Sequence, residues 1–246
     1  MTVTSSRPAS PDSYVPSRRT VLRAAAWTAP AVSVVVAVPA YAACSPATTK
    51  PTSYNVDWAS GVYTRSSAAS GAVVVPGAAV GAQPVNVFVT STVSSNRVVR
   101  TAQNLLGSAQ GLELHHTSPV SAGREHRQTV TFNFSRQVSG LTFSIKDVDS
   151  SQGGWWDRVE LTGARTFVVA PRGRRNTHIL GSGVQGAPWY HYDSDTVLPN
   201  SGDSRGTVTV TYTEPVSSIS LVYWTSVGGS NQRIWLSNLS FTASSC

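Results

Sequence analysis

The chain is predicted to fold as an all-β, jelly-roll-like antiparallel β-sandwich, and three observations carry that expectation. The stretch Leu141 to Leu161, LTFSIKDVDSSQGGWWDRVEL, alternates with period two. Leu141, Phe143 and Ile145 share one parity with Asp147 and Asp149, and Trp155, Asp157, Val159 and Leu161 resume it after a Ser/Gln/Gly loop. Such alternation marks strands with one buried face. The second observation is a repeat. TVTFNFSRQVSGLTFSIKDV, from Thr129, aligns without gaps with TVTVTYTEPVSSISLVYWTS, from Thr207, at an offset of 78 residues. Each copy reads as strand, bend, strand, and the apolar parity changes across the bend, as it must when a chain crosses to an opposite sheet. The third is composition. Only 13% of the 246 residues are charged, Gly, Ser, Thr and Val abound, and no window longer than one turn carries a helical apolar stripe.

In chain order, residues 1–17 are rich in Ser and Pro. Ser17-Arg18-Arg19-Thr20-Val21-Leu22-Arg23 follows and resembles the twin-arginine export signal, with Arg18 and Arg19 as its pair. The apolar run Ala24 to Val38 is broken by Pro30 and falls short of the roughly 20 residues a stable membrane span needs. Ala40-Tyr41-Ala42 has the small-x-small form of a cleavage site. Residues 1–42 are therefore expected to be a signal peptide handled by the twin-arginine translocase, and the product to be secreted. Residues 43–53 read as a Pro/Thr linker and 54–246 as the sandwich domain.

Cys44 and Cys246 are the two cysteines. In an exported protein they invite one disulfide tying the mature ends together, worth roughly 5 kcal/mol at most on chain-entropy grounds. Lipidation of Cys44 is the alternative, although Tyr41 stands where a lipobox has an aliphatic residue.

Further strands are expected at Tyr54 to Trp58, Val85 to Val93, Arg97 to Ala102 and Leu112 to His116, then Val159 to Val169 as hairpin partner of the Leu141 strand, and Arg233 to Leu236. Roughly eight to ten strands result. The chain carries a net charge of +7, and beyond residue 42 it keeps 15 basic against 11 acidic residues. That small excess argues against a nucleic-acid partner, and Arg172-Gly173-Arg174-Arg175 reads as a solvated turn.

The segment TVTFNFSRQVSGLTFSIKDVDS…WWDRVELTG, followed by SSISLVYW…NQRIWLSNLSF, resembles secreted β-sandwich modules of actinobacterial and other Gram-positive surface proteins. The shared features are a Phe-x-Phe strand, a Val turn, an Asp-Val-Asp strand end, an Asp-Arg-Val return strand and a closing strand with Gln232, Ile234, Leu236 and Phe241. The resemblance covers about Leu112 to Phe241 and implies a fold and an extracellular setting rather than an activity.

Three candidate sites stand out. Asp147, Asp149 and Asp157 gather at one end of a buried face, where carboxylates must be paired, hydrogen-bonded or metal-bound. They read either as a Ca²⁺ site, completed by loop oxygens, or as a hydrogen-bonded corner in which an aspartate accepts loop N–H groups or pairs with Arg158, Arg124 or Arg233. Trp189, Tyr190, Tyr192, Asp193 and Asp195 lie in a long loop. Rings beside carboxylates suit sugars, whose C–H faces stack while Asp bonds the hydroxyls; the alternative is a loop folded over the sheet edge with Trp189 as anchor. Trp156, on the outward parity, joins them as a ligand contact or a packing residue. Glu113, His115, His116, Glu125 and His126 lack any zinc spacing, and no nucleophile elbow is present. The function expected is a secreted, non-catalytic binding or surface-interaction module for cell-wall or environmental polysaccharide. A small hydrolase using the aspartates near 141–161, and a structural exoprotein with no ligand, are the alternatives.

Overall fold

Residues Gln128–Lys146 form one strand of 19 residues that serves two sheets, and the molecule is arranged around it. The computed structural model describes residues 50–118, 122–163, 166–170, 178–198 and 202–244. The expectations for Arg18, Arg19, the cleavage site, Cys44, Cys246 and the Arg172 turn lie outside the described residues.

The strands are β1 (Pro51–Val56), β2 (Tyr63–Ser67), β3 (Ser70–Val75), β4 (Val85–Val93), β5 (Val99–Arg100), β6 (Gly107–Ser108), β7 (Gly111–Ser118), β8 (Gln128–Lys146), β9 (Ser150–Ser151), β10 (Trp155–Thr162), β11 (Phe167–Val169), β12 (Ile179–Leu180), β13 (Tyr190–His191), β14 (Val208–Tyr212), β15 (Val216–Thr225), β16 (Gly229–Leu236) and β17 (Leu239–Ser244). The all-β antiparallel sandwich is therefore what the chain forms. Among the described residues the only helical pieces are two three-residue 3-10 turns.

One sheet runs β2-β3-β4-β8-β15-β10-β9 and uses the first half of β8, where Phe132 sits between Val89 and Ile219. The second half of β8 pairs with β14 on one side and with β17 and the end of β16 on the other. β1 extends β17, and β7 extends β16. The buried set on β8 changes from Val130, Phe132, Phe134 and Val138 to Leu141, Phe143 and Ile145. Gly140, at φ 62, stands at the switch, in a conformation that L side chains avoid.

The repeat now has a geometric meaning. The first copy passes from the β4 sheet to the β14 sheet, and the second passes back. Val208, Thr209, Val210 and Thr211 oppose Ile145, Ser144, Phe143 and Thr142, while Ile219 to Tyr223 oppose Phe132 to Gln128. The copies thus lie antiparallel over their whole length, as a local two-fold would place them. Their outward residues form hydroxyl pairs: Thr131 with Ser220 at 2.8 Å, Thr142 with Thr211 at 2.9 Å and Ser144 with Thr209 at 2.7 Å. Cross-strand pairs of this kind contribute about 0.2–1 kcal/mol each. Inward, Trp58, Phe132, Phe143, Trp189 and Tyr223 are among the fully buried large side chains.

Several expectations are corrected. β1 starts at Pro51, inside the expected linker, and pairs with β17 through Ser244. Proline at the first strand residue costs no ladder bond that the sheet requires. The Arg97 to Ala102 strand is only Val99–Arg100, and the Val159 to Val169 strand is two pieces, β10 and β11. β10 is not the hairpin partner of the Leu141 strand. It pairs with β15, in the other sheet, and only the small β9 forms a hairpin with it. Among the described residues seventeen strands, five of them of two residues, replace the expected eight to ten.

Candidate functional site

The connection from β8 to β10 crosses from one sheet to the other, so carboxylates from both sheets meet at one end of the sandwich. β8 ends because Asp147 adopts φ 66, a left-handed conformation that Asp tolerates better than most residues. Val148 is then tied by its N–H to the Gly206 carbonyl at 3.0 Å. Asp149 and the residues after it are sewn to the 190–198 loop. Ser150 N donates to Thr196 O at 3.1 Å, Ser150 Oγ donates to Asp193 O at 2.5 Å, and Gln152 N donates to Asp195 Oδ1 at 3.0 Å.

The three aspartates are all buried, as their parity predicts: Asp147 is 7%, Asp149 4% and Asp157 0% exposed. Their oxygens are used differently. Asp157 Oδ1 accepts from Tyr223 Oη at 2.9 Å and Gln232 Nε2 at 2.6 Å, and its Oδ2 accepts from Asp149 N at 3.1 Å. Asp149 Oδ1 accepts from Trp155 Nε1 at 2.6 Å, and its Oδ2 from Leu198 N at 2.9 Å. Asp147 Oδ1 has no hydrogen-bond partner. The residue lines a cavity of about 100 Å³ together with Asp149, Trp155, Val197, Leu198 and Arg233.

Burial dominates the electrostatics of this end. Desolvation, then the neighbouring Asp149, pushes the Asp147 carboxyl up to about 7, against the weaker pull of Arg233. Desolvation pushes Asp149 up to about 6, although the Trp155 and Leu198 hydrogen bonds oppose it. Asp157 is held well above the usual carboxylate range by its complete burial and then by Asp149. A neutral acid is how a low-dielectric site accommodates three carboxyl groups. Arg233 lies over the Trp235 ring, 4.9 Å from its centroid, and makes no ion pair with the acids across the cavity.

Among the described residues no three His, Cys, Asp or Glu side chains are arranged to hold a metal ion. Glu113 and His115 do meet, at 3.0 Å, but His116 turns inward to Gln128, and His126 bonds Ser95 instead.

The aromatic loop divides. Trp189 is 0% exposed and hydrogen-bonds Val159 through its backbone in both directions, at 3.0 and 2.8 Å. Its ring lies where a Cβ on Gly183 would stand, which requires glycine there. Trp189 is therefore corrected from a ligand contact to the anchor that fastens the loop. Asp193 is spent on its own turn, accepting from Asp195 N at 3.1 Å and Thr196 Oγ1 at 3.0 Å, and Asp195 accepts from Gln152. Tyr192, 53% exposed, faces solvent. Trp156 and Tyr190, 6.1 Å apart and roughly perpendicular, enclose Arg158, whose guanidinium carbon is 4.3 Å from one ring centroid and 4.4 Å from the other. Trp156 Nε1 donates to His191 O at 2.9 Å, which fixes that ring.

Leu198 escapes a reading of the sequence, and among the described residues the pairing of an aspartate of this cluster with Arg158, Arg124 or Arg233 is not formed: Arg124 pairs with Glu160, and the other two lie on aromatic rings. Comparison with protein-family models, curated proteins and solved structures returned no match.

Proposed function

We propose that the chain is an exported, non-catalytic binding module that takes a carbohydrate at the Asp147–Trp155–Arg233 cavity. The observation that carries this reading is Asp147, whose buried Oδ1 has no hydrogen-bond partner and which lines a small space together with Trp155 and Arg233. A sugar asks for that set. Its C–H face packs on Trp155 and Leu198, while its hydroxyls donate to Asp147 and accept from Arg233. The ligand site thus moves from the aromatic loop to the hairpin end, although Val197 and Leu198 keep the loop in its wall. Export rests on the leader's motif order, and the mass of the mature N-terminus tests it.

A glycan-array screen of the mature chain and of Asp147→Asn tests the ligand. Binding by the wild type that the variant loses, at unchanged melting temperature, supports the reading, and equal binding by both removes it. A second reading, a small hydrolase, has one observation in its favour. A carboxyl near 7 beside another near 6 is the acid–base equipment of glycoside cleavage. New reducing ends released from a bound glycan, and not released by Asp147→Asn, would select it.

A further inference from the structure

Two arginines lie on the outer face of the β10–β15 pair, and both rest on aromatic rings. Arg124 stands 6.0 Å from the Trp224 centroid, and its Nε donates to Glu160 Oε2 at 2.7 Å. Its charge is met by a carboxylate inside the chain. Arg158, opposite Trp224 in the register, has two rings but no such acid. Its Nη1 donates to the Asp157 carbonyl at 2.9 Å, and among the described residues no carboxylate comes within ion-pair distance of it. Burial draws its guanidinium down to about 10. A desolvated cation of this kind gains from an anion more than a solvated one does.

The slot is built rather than casual. The Trp156 ring is fixed through His191 O, and Tyr190 is held in β13 opposite Leu180. A guanidinium in the corner of two roughly perpendicular rings keeps N–H donors beyond the one spent on the Asp157 carbonyl. The matching acceptor is a planar one lying in the same plane, a carboxylate. The two half-buried rings beside it offer apolar surface for the C–H groups of a ring that carries the acid.

We infer that Arg158, enclosed by Trp156 and Tyr190, is a binding site for the carboxylate of an acidic polysaccharide residue, a uronic acid. Trp155 and Trp156 point to opposite sides of their strand, so this site is separate from the Asp147 cavity and does not depend on it.

Calorimetry of the whole chain with trigalacturonate at low salt tests the inference, with the fully methyl-esterified trimer as control. The acid form is expected to bind, the ester to bind about tenfold more weakly or less, and added salt to weaken the acid form. Arg158→Gln should lose about tenfold or more, and Arg158→Lys, which keeps the charge without the fork, should fall between. Salt-insensitive binding of the ester that Arg158→Gln keeps would belong to the Asp147 cavity, which separates failure here from failure of the cavity reading. If Arg158→Gln does not fold, the ester control and Arg158→Lys still decide. No binding of the acid form, equal binding of ester and acid, or undiminished binding by Arg158→Gln overturns the inference. Tighter binding of a polyglutamate peptide or of polyphosphate overturns the uronic acid assignment.

Discussion

The two sides of β10 treat charge in opposite ways. Inward, Asp157 sits with Asp149 and Asp147, and no cation bonds any of them among the described residues; they are pushed toward the neutral acid. Outward, Arg158, and Arg124 beside it, lie on aromatic faces, Arg124 with an acid and Arg158 without. Alternate residues of a single strand thus meet a medium that suppresses ionisation and one that shelters it. What separates them is access to water and to π-faces, not the local sequence. A functional reading follows for each side: a neutral hydrogen-bonding cavity within, and an anion seat without.

The largest effect should come from Asp157. Asp157→Ala leaves Asp149 N–H, the Tyr223 hydroxyl and the Gln232 amide without their acceptor, at about 1–3 kcal/mol each. A melting-temperature drop of about 10 °C or more is expected. Asp157→Asn keeps an uncharged acceptor and should cost far less. Equal losses for the two would mean that the carboxyl is ionised, and the contrast between the two sides would fail.

Next come the two arginines. Arg124→Gln leaves Glu160 buried without its cation, and a loss of about 2 kcal/mol is expected, discounted because Arg124 is partly exposed. Arg158→Gln removes a cation that no acid in the described chain answers and should cost less than about 1 kcal/mol. Denaturant titration of both variants measures the difference. A larger loss for Arg158 would give it a structural role in place of a ligand.

The pH dependence is smaller and has a definite sign. Asp147 and Asp149 hold their protons more tightly in the folded chain, near 7 and 6, than a free aspartate does. Their stabilising contribution is complete below the unfolded value, near 4, and is lost as pH rises through 6 and 7. The melting temperature should fall by a few degrees between pH 5 and pH 8, and the fall should be shallower in Asp147→Asn. A melting temperature that rises over this range would contradict the raised carboxyls.

How far the sequence reaches is visible at particular residues. Period-two alternation places Leu141, Phe143, Ile145, Asp157 and Val159 inward correctly, because parity is a local property of a strand. It does not name a strand's partner. β10 joins β15 through Leu161 opposite Leu221, across 60 residues of chain, and nothing local selects that over a hairpin with β8. The acid cluster is legible for the same reason as the core. Its cavity is not, since Leu198 arrives from a distant segment and parity does not choose Arg233 over Arg124 or Arg158. Parity also fails for Trp189 to Tyr192. Only Tyr190–His191 is strand, so which ring turns inward depends on the fit beside Gly183.

The smallest effect expected is that of calcium. The cation would need six to eight oxygens at 2.3–2.6 Å. Asp157 accepts three hydrogen bonds and Asp149 two, all from N–H or O–H donors of the chain. A cation at this end would have to draw those oxygens away from their donors, and it would also approach Arg233, a like charge in the same cavity wall. Asp147 Oδ1 is without a donor. Chelation is therefore expected to move the melting temperature by less than about 1 °C, at pH 6 and at pH 8, where Asp147 is mostly ionised. A rise of several degrees on adding Ca²⁺ at pH 8 and not at pH 6 would instead mean that ionised Asp147 recruits the cation. The inner side of β10 would then hold charge as the outer side does, with a metal in the place of aromatic rings.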